Sequence, residues 1–125
     1  MATIQPTFTT PSGDAAVHRS VVWTPMANGD AGAPISADNI GLNDRSVQVN
    51  GTFGTGGTVL WEVSNDGTNW FTATTPAGTS ISLTAAGLKQ IVESALYARP
   101  RVSAGDGTTQ ITVTLSARRS NRGMV

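Results

Sequence analysis

The side chains able to do covalent chemistry in this sequence are few and scattered. His18 is the only histidine, and cysteine is absent. A Ser-His-Asp arrangement would have to be assembled around His18, which lies in a Pro/Thr-rich stretch far in sequence from any ordered nucleophile. His18 is therefore read as a solvated or interface residue. Without cysteine there are no disulfides, no thiolate nucleophile and no Cys-based zinc site. Every aspartate (Asp14, Asp30, Asp38, Asp44, Asp66 and Asp106) stands beside Gly or Asn, where the carboxylate bonds its own turn backbone. Nothing singles out two of the carboxylates as a glycosidase acid and base. Asn65-Asp66-Gly67 is too short for a calcium loop with spaced ligands. Gly54-Thr55-Gly56-Gly57 lacks the Lys-Ser/Thr ending and the following helix of a phosphate loop. No catalytic residue, cofactor site or metal site is predicted, and the chain is expected not to be an enzyme.

The cations carry more information. Seven of the eight are Arg, whose planar fork suits carboxylates and phosphates at interfaces. Arg118, Arg119 and Arg122 cluster together, as a solvated tail, a salt-bridging contact with a partner protein, or a contact with nucleic acid. Arg99 and Arg101 share one strand face with Tyr97, as an exposed stripe or an interface patch. Ile4 and Phe8 stand apart in an aperiodic leading stretch and give it something to bury. These seven residues (Ile4, Phe8, Arg99, Arg101, Arg118, Arg119 and Arg122) form the candidate partner interface. The net charge is zero, so no global field draws the chain to nucleic acid or to an anionic membrane. Neither is expected as a partner. No apolar run reaches the length of a membrane-spanning helix, and residues 1–20 lack the basic start and apolar run of a signal peptide.

The elements that must position these residues are mostly strands. Residues 1–19, with Pro6 and Pro11, do not suit a central strand. They are read as an extended N-terminal arm, either disordered or ordered against a neighbouring subunit. Val21, Val22, Trp23 and Met26 open a strand that ends in the turn Ala27-Asn28-Gly29-Asp30. Val47, Val49 and Phe53 alternate with Ser46, Gln48, Asn50 and Thr52, the period of a half-buried strand. Val59, Trp61 and Val63 lie on one face of the return strand. Asn65-Asp66-Gly67-Thr68 is a strong turn signal. Short strands follow at Trp70-Phe71 and at Ile81 and Leu83. Residues 84–94 are the one helical candidate, with Thr84 as cap and Leu88, Ile91 and Val92 at i, i+3 and i+4. Ala98 and Val102 then alternate with Arg99 and Arg101. Gly105-Asp106-Gly107-Thr108 turns the chain into a last strand through Ile111, Val113 and Leu115. The prediction is an all-β, antiparallel β-sandwich, jelly-roll-like or Ig-like, over residues 20–119. It carries one short helix, the arm at 1–19 and a tail at 120–125. Charged residues make up only 13%, about half the usual ~25%, and there are 18 threonines. Such a surface suits a protein packed against neighbours.

The run from Leu60 to Trp70, with Ser64-Asn65-Asp66-Gly67-Thr68-Asn69-Trp70 followed by Leu96-Tyr97-Ala98-Arg99, is similar to a turn signature of discoidin-like and other jelly-roll modules. The stretch from about Ser46 to Arg119 resembles structural proteins of tailed bacteriophages, above all capsid decoration (cement) proteins. It does so through Val47-Gln48-Val49-Asn50-Gly51-Thr52-Phe53-Gly54, the Ser64–Trp70 turn, and Arg99-Pro100-Arg101-Val102 with Gly105-Asp106-Gly107-Thr108-Thr109 and Ala117-Arg118-Arg119. The resemblance implies a homo-oligomer, such as a trimer, made in the host cytoplasm and located on the virion's capsid surface. There it would bind the major capsid protein and reinforce the shell. Two other readings stay open. One is a neck or tail component; the other is a carbohydrate-binding module with Trp23, Tyr97 or another aromatic as the sugar platform.

Overall fold

Alternating apolar residues place the strands, and the glycine-rich turns between them set where each ends. The computed structural model describes residues 2–11, 13, 17–36 and 42–119. Among these are β1 (Thr3–Ile4), β2 (Thr7–Thr9), β3 (His18–Met26), β4 (Ala31–Gly32), β5 (Ile35–Ser36) and β6 (Asp44–Thr52). They are followed by β7 (Thr58–Ser64), β8 (Phe71–Thr72), β9 (Ser82–Leu83), β10 (Gly87–Ile91), β11 (Tyr97–Ala104) and β12 (Gln110–Arg118). A five-stranded sheet runs β10-β6-β12-β3-β2. A seven-stranded sheet runs β1-β4-β11-β7-β8, with β5 on β11 and β9 on β7. All pairings are antiparallel except β1 with β4.

The inner sides of the two sheets meet in a sandwich-like core. Val21, Trp23, Val47, Val49, Val113 and Leu115 come from one sheet, and Val59, Trp61, Ala98 and Val102 from the other; all are buried. Trp23 and Trp61 meet edge to face, with ring centroids 5.6 Å apart. Trp23 Nε1 donates to the Ala33 carbonyl at 3.0 Å. Gly32 is required beside it, because a Cβ there would sit 2.7 Å from the Trp23 ring and 2.6 Å from Pro100.

Four connections cross between the sheets at one end: 27–30, 53–57, 84–86 and 105–109. Asp106 ties two of them, accepting from Thr55 N and Thr108 N at 2.8 Å each. Thr109 Oγ1 donates to the Phe53 carbonyl at 2.8 Å. Gly54 has φ of 71° and abuts the Asp106 carboxylate, so a side chain there would strain the backbone and strike Asp106.

Two expectations change. The helix expected at 84–94 is absent: residues 87–91 form β10, paired with β6 from Gly87↔Val49 to Ile91↔Arg45. Of the supposed helical stripe only Ile91 is buried, while Leu88 and Val92 are exposed. The described part of the leading segment is extended, but it lies on its own domain. β1 borders the seven-stranded sheet and β2 the five-stranded one. Ile4 and Phe8 pack partly against the core. Ala2 N donates to the buried Asp30 at 2.9 Å, and β3 already begins at His18. Arg122, Asp14 and Asp38, with the tail 120–125, lie outside the described residues.

Candidate functional site

The outer side of the seven-stranded sheet carries a compact charged cluster. Period 2 puts Arg99 and Arg101 on the same side of β11, and the register sets Arg99 directly opposite Glu62 of β7. Glu62 is buried, with its side chain 8% exposed. Its two oxygens accept from Arg99 Nε at 3.1 Å and Arg101 Nε at 3.0 Å. The Arg99 guanidinium also lies over the Trp70 ring, 4.1 Å from its centroid. One carboxylate thus holds two guanidiniums, and the cations expected to meet a partner are engaged within the domain. Glu62 is left buried and unpaired only when both bonds are lost, so the two arginines together hold it in place.

The Ser64–Trp70 turn beside this cluster is held by its own side chains and by Leu96 N, which donates to Asn65 Oδ1 at 3.0 Å. Ser64 Oγ accepts from Gly67 N, and Asp66 accepts from Thr68 N, Asn69 N and Asn69 Nδ2. Hydrogen bonds from Asn69, Thr68 and Ser64 hold the Asp66 carboxyl well below its ordinary range. Those from Thr108 and Thr55 do the same for Asp106. Both carboxylates are engaged by turn donors, Asp66 within its own turn and Asp106 from its own connection and from Thr55 of 53–57. Among the described residues, no group of three or more His, Cys, Asp or Glu is placed to hold a metal ion.

The outer side of the five-stranded sheet is different in kind. Its registers give the rows Leu88–Gln48–Thr114–Val22–Thr7 and Gln90–Ser46–Ser116–Ser20–Thr9. Hydroxyl, amide and apolar groups fill them without a charge. The next row, Asp44–Arg118–His18, is where charge begins. Together with Arg45, Arg119 and Val17, these groups line a shallow open cleft over Ser46, Ser116, Leu88 and Gln90. His18 Nε2 and Ser116 Oγ are 2.8 Å apart. Arg118 Nε meets Asp44 at 3.3 Å, with 70% of its side chain exposed. Arg119 N donates to the Val17 carbonyl, which fixes the far wall. Arg45 is buried, which pulls its guanidinium below its ordinary value, and its Nε donates to the Leu42 carbonyl at 2.7 Å.

His18 is therefore a half-buried strand residue set against a serine. A nucleophile–base pair begins with such a contact and needs a carboxylate to orient the imidazole. Asp44, the carboxylate lining the cleft, is engaged by Arg118 instead. Sequence reasoning missed this contact because it spans 98 residues, and no local pattern marks it.

Of the seven residues expected at a partner interface, the structure brings Arg99 and Arg101 together on one sheet and Arg118 and Arg119 together on the other. Ile4 and Phe8 are placed on the two sheet borders, with the Arg19 guanidinium 5.2 Å from the Phe8 centroid. Trp23, a candidate sugar platform, is fully buried and cannot serve as one. Phe71 is the aromatic left open, at 69% exposure. Among the described residues no helix is long and apolar enough to cross a membrane. In comparisons with known proteins, the chain matches no family model, no curated sequence and no solved structure.

Proposed function

We propose that this chain is a non-catalytic structural subunit of a tailed-phage virion, a head decoration protein. It binds the assembled shell together with copies of itself and bridges coat subunits. Binding only to the assembled form stabilises that form by mass action. The observation that supports this best is the outer side of the five-stranded sheet. At about 4.8 Å per strand and 3.4 Å per residue, the 35 residues of its five strands span about 570 Å². That is most of the ~800 Å² per partner of an ordinary protein interface. Its central rows carry Ser, Thr, Gln and Val in place of the charges a free surface usually bears. The likeness of residues 46–119 to decoration proteins points the same way.

Immuno-electron microscopy of virions produced from the genome that encodes the chain tests the reading. Antibody against the chain is expected to label the head in a regular lattice. Label confined to the neck or tail moves the subunit there. Virions without label overturn the proposal.

A further inference from the structure

We infer that the cleft on the five-stranded sheet receives an extended, carboxylate-bearing segment of a protein partner. The inference rests on reading this sheet side as the docking surface, and it names the chemistry of what docks. Two exposed guanidiniums, Arg118 and Arg119, line the cleft with the carboxylate of Asp44; the buried Arg45 adds positive charge beneath, and His18 adds a polar edge. Arg118 and Arg119 both line the cleft and are both exposed, so a ligand in the cleft can reach their guanidiniums from solvent. A guanidinium presents five donors and a carboxylate accepts two in parallel, which makes carboxylate the matching group.

The floor explains why the segment is a peptide. Ser46 and Ser116 face each other across β6 and β12 and offer hydroxyls that donate or accept. Leu88, 59% exposed, stands on one wall and the exposed Val17 on the other, so apolar neighbours of the acidic residue are accommodated too. From β10 to β3 the cleft crosses four strands, about 14 Å, the reach of roughly four extended residues. A nucleic-acid strand is held by rows of large aromatic platforms under its bases, and no Phe, Tyr or Trp is among the described residues that line this cleft.

Fluorescence anisotropy on the full chain tests the inference with a labelled peptide of alternating Glu and Val. Its lysine counterpart and oligo(dT) serve as competitors of different chemistry. Saturable binding of the Glu-Val peptide, weakened by salt, is expected. The Arg118→Gln/Arg119→Gln variant should lose about tenfold in affinity, while Phe71→Ala on the opposite sheet leaves it unchanged. Equal affinity in the double variant, or tighter binding of oligo(dT) or of the lysine peptide, overturns the inference. Head labelling without peptide binding sinks this inference alone. Peptide binding without virion labelling sinks the virion role and leaves the cleft's chemistry standing.

Discussion

Glu62 is a buried carboxylate that answers two cations at once. Replacing it with Ala leaves Arg99 and Arg101 facing each other with no carboxylate between them. Glu62→Ala removes two charge-assisted hydrogen bonds but leaves arginines that are 24% and 38% exposed, so it should lower unfolding stability by about 2 kcal/mol. Arg101→Ala should cost less than about 1 kcal/mol, since its side chain is 38% exposed and Arg99 still holds Glu62. Urea titration of the two variants checks the asymmetry; equal losses would show that Glu62 is not the hub. Asp66 and Asp106 act on a different axis. Their folded carboxyls are held low by hydrogen bonds from Asn69 and Thr108 first of all. A depressed folded value stabilises the fold above the unfolded value of about 3.9 and loses that contribution as pH falls below it. The urea midpoint should therefore hold steady near neutral pH and drop on the acid side. The Asp66→Asn/Asp106→Asn variant should show a shallower acid limb. An acid limb as steep as the parent's would refute the assignment.

Elements were legible where one side of a strand is buried along its whole length. In β7, β11 and β12 the inner side is apolar at every second residue, and in β6 it is so at Val47 and Val49, so the sequence period and the burial agree there. β1, β2, β4 and β5 run for two or three residues, too short to show any period, and exist only through their partners. β10 misled because Leu88, Ile91 and Val92 fit a helical stripe as well as any three residues do. Gly87 weakens a helix by about 1 kcal/mol, and pairing with the open edge of β6 decides the outcome. The same limit applies to the site. Periodicity alone puts Arg99 and Arg101 on one side, whereas Glu62 opposite them and His18 on Ser116 follow from register, which no local pattern encodes. β10 is also the longest edge strand of either sheet, and Lys89 is its one charge. Lys89 stands opposite Val47, on the inner side but exposed at the border. An inward-pointing charge on an edge discourages strand addition by another chain. Lys89→Val should therefore raise concentration-dependent self-association in sedimentation velocity. A variant that sediments like the parent at every concentration would show that the edge is protected by other means.

At the scale of the whole molecule, the leading segment closes the sandwich-like fold along the side where both sheets end. β1 continues the seven-stranded sheet past β4, and β2 continues the five-stranded sheet past β3. One short stretch of chain thus borders both layers. It covers the core with Ile4 and Phe8 and brings the Ala2 amide to Asp30, whose other oxygen accepts from Ala27 N at 2.8 Å. A free arm could be removed at no cost to stability, but this segment cannot. Deleting residues 1–9 re-exposes the apolar surface beneath two half-buried side chains and leaves Asp30 one donor short. The expected loss is about 3 kcal/mol, read as a lower urea midpoint with the β-type circular dichroism retained. A deletion variant as stable as the parent would show that the segment contributes nothing to closure and is available to a neighbour. The distinction matters for any binding experiment. If the segment closes the fold, lost binding in a truncated chain reports a damaged scaffold, whereas lost binding in the exposed Arg118 and Arg119 variant reports a contact.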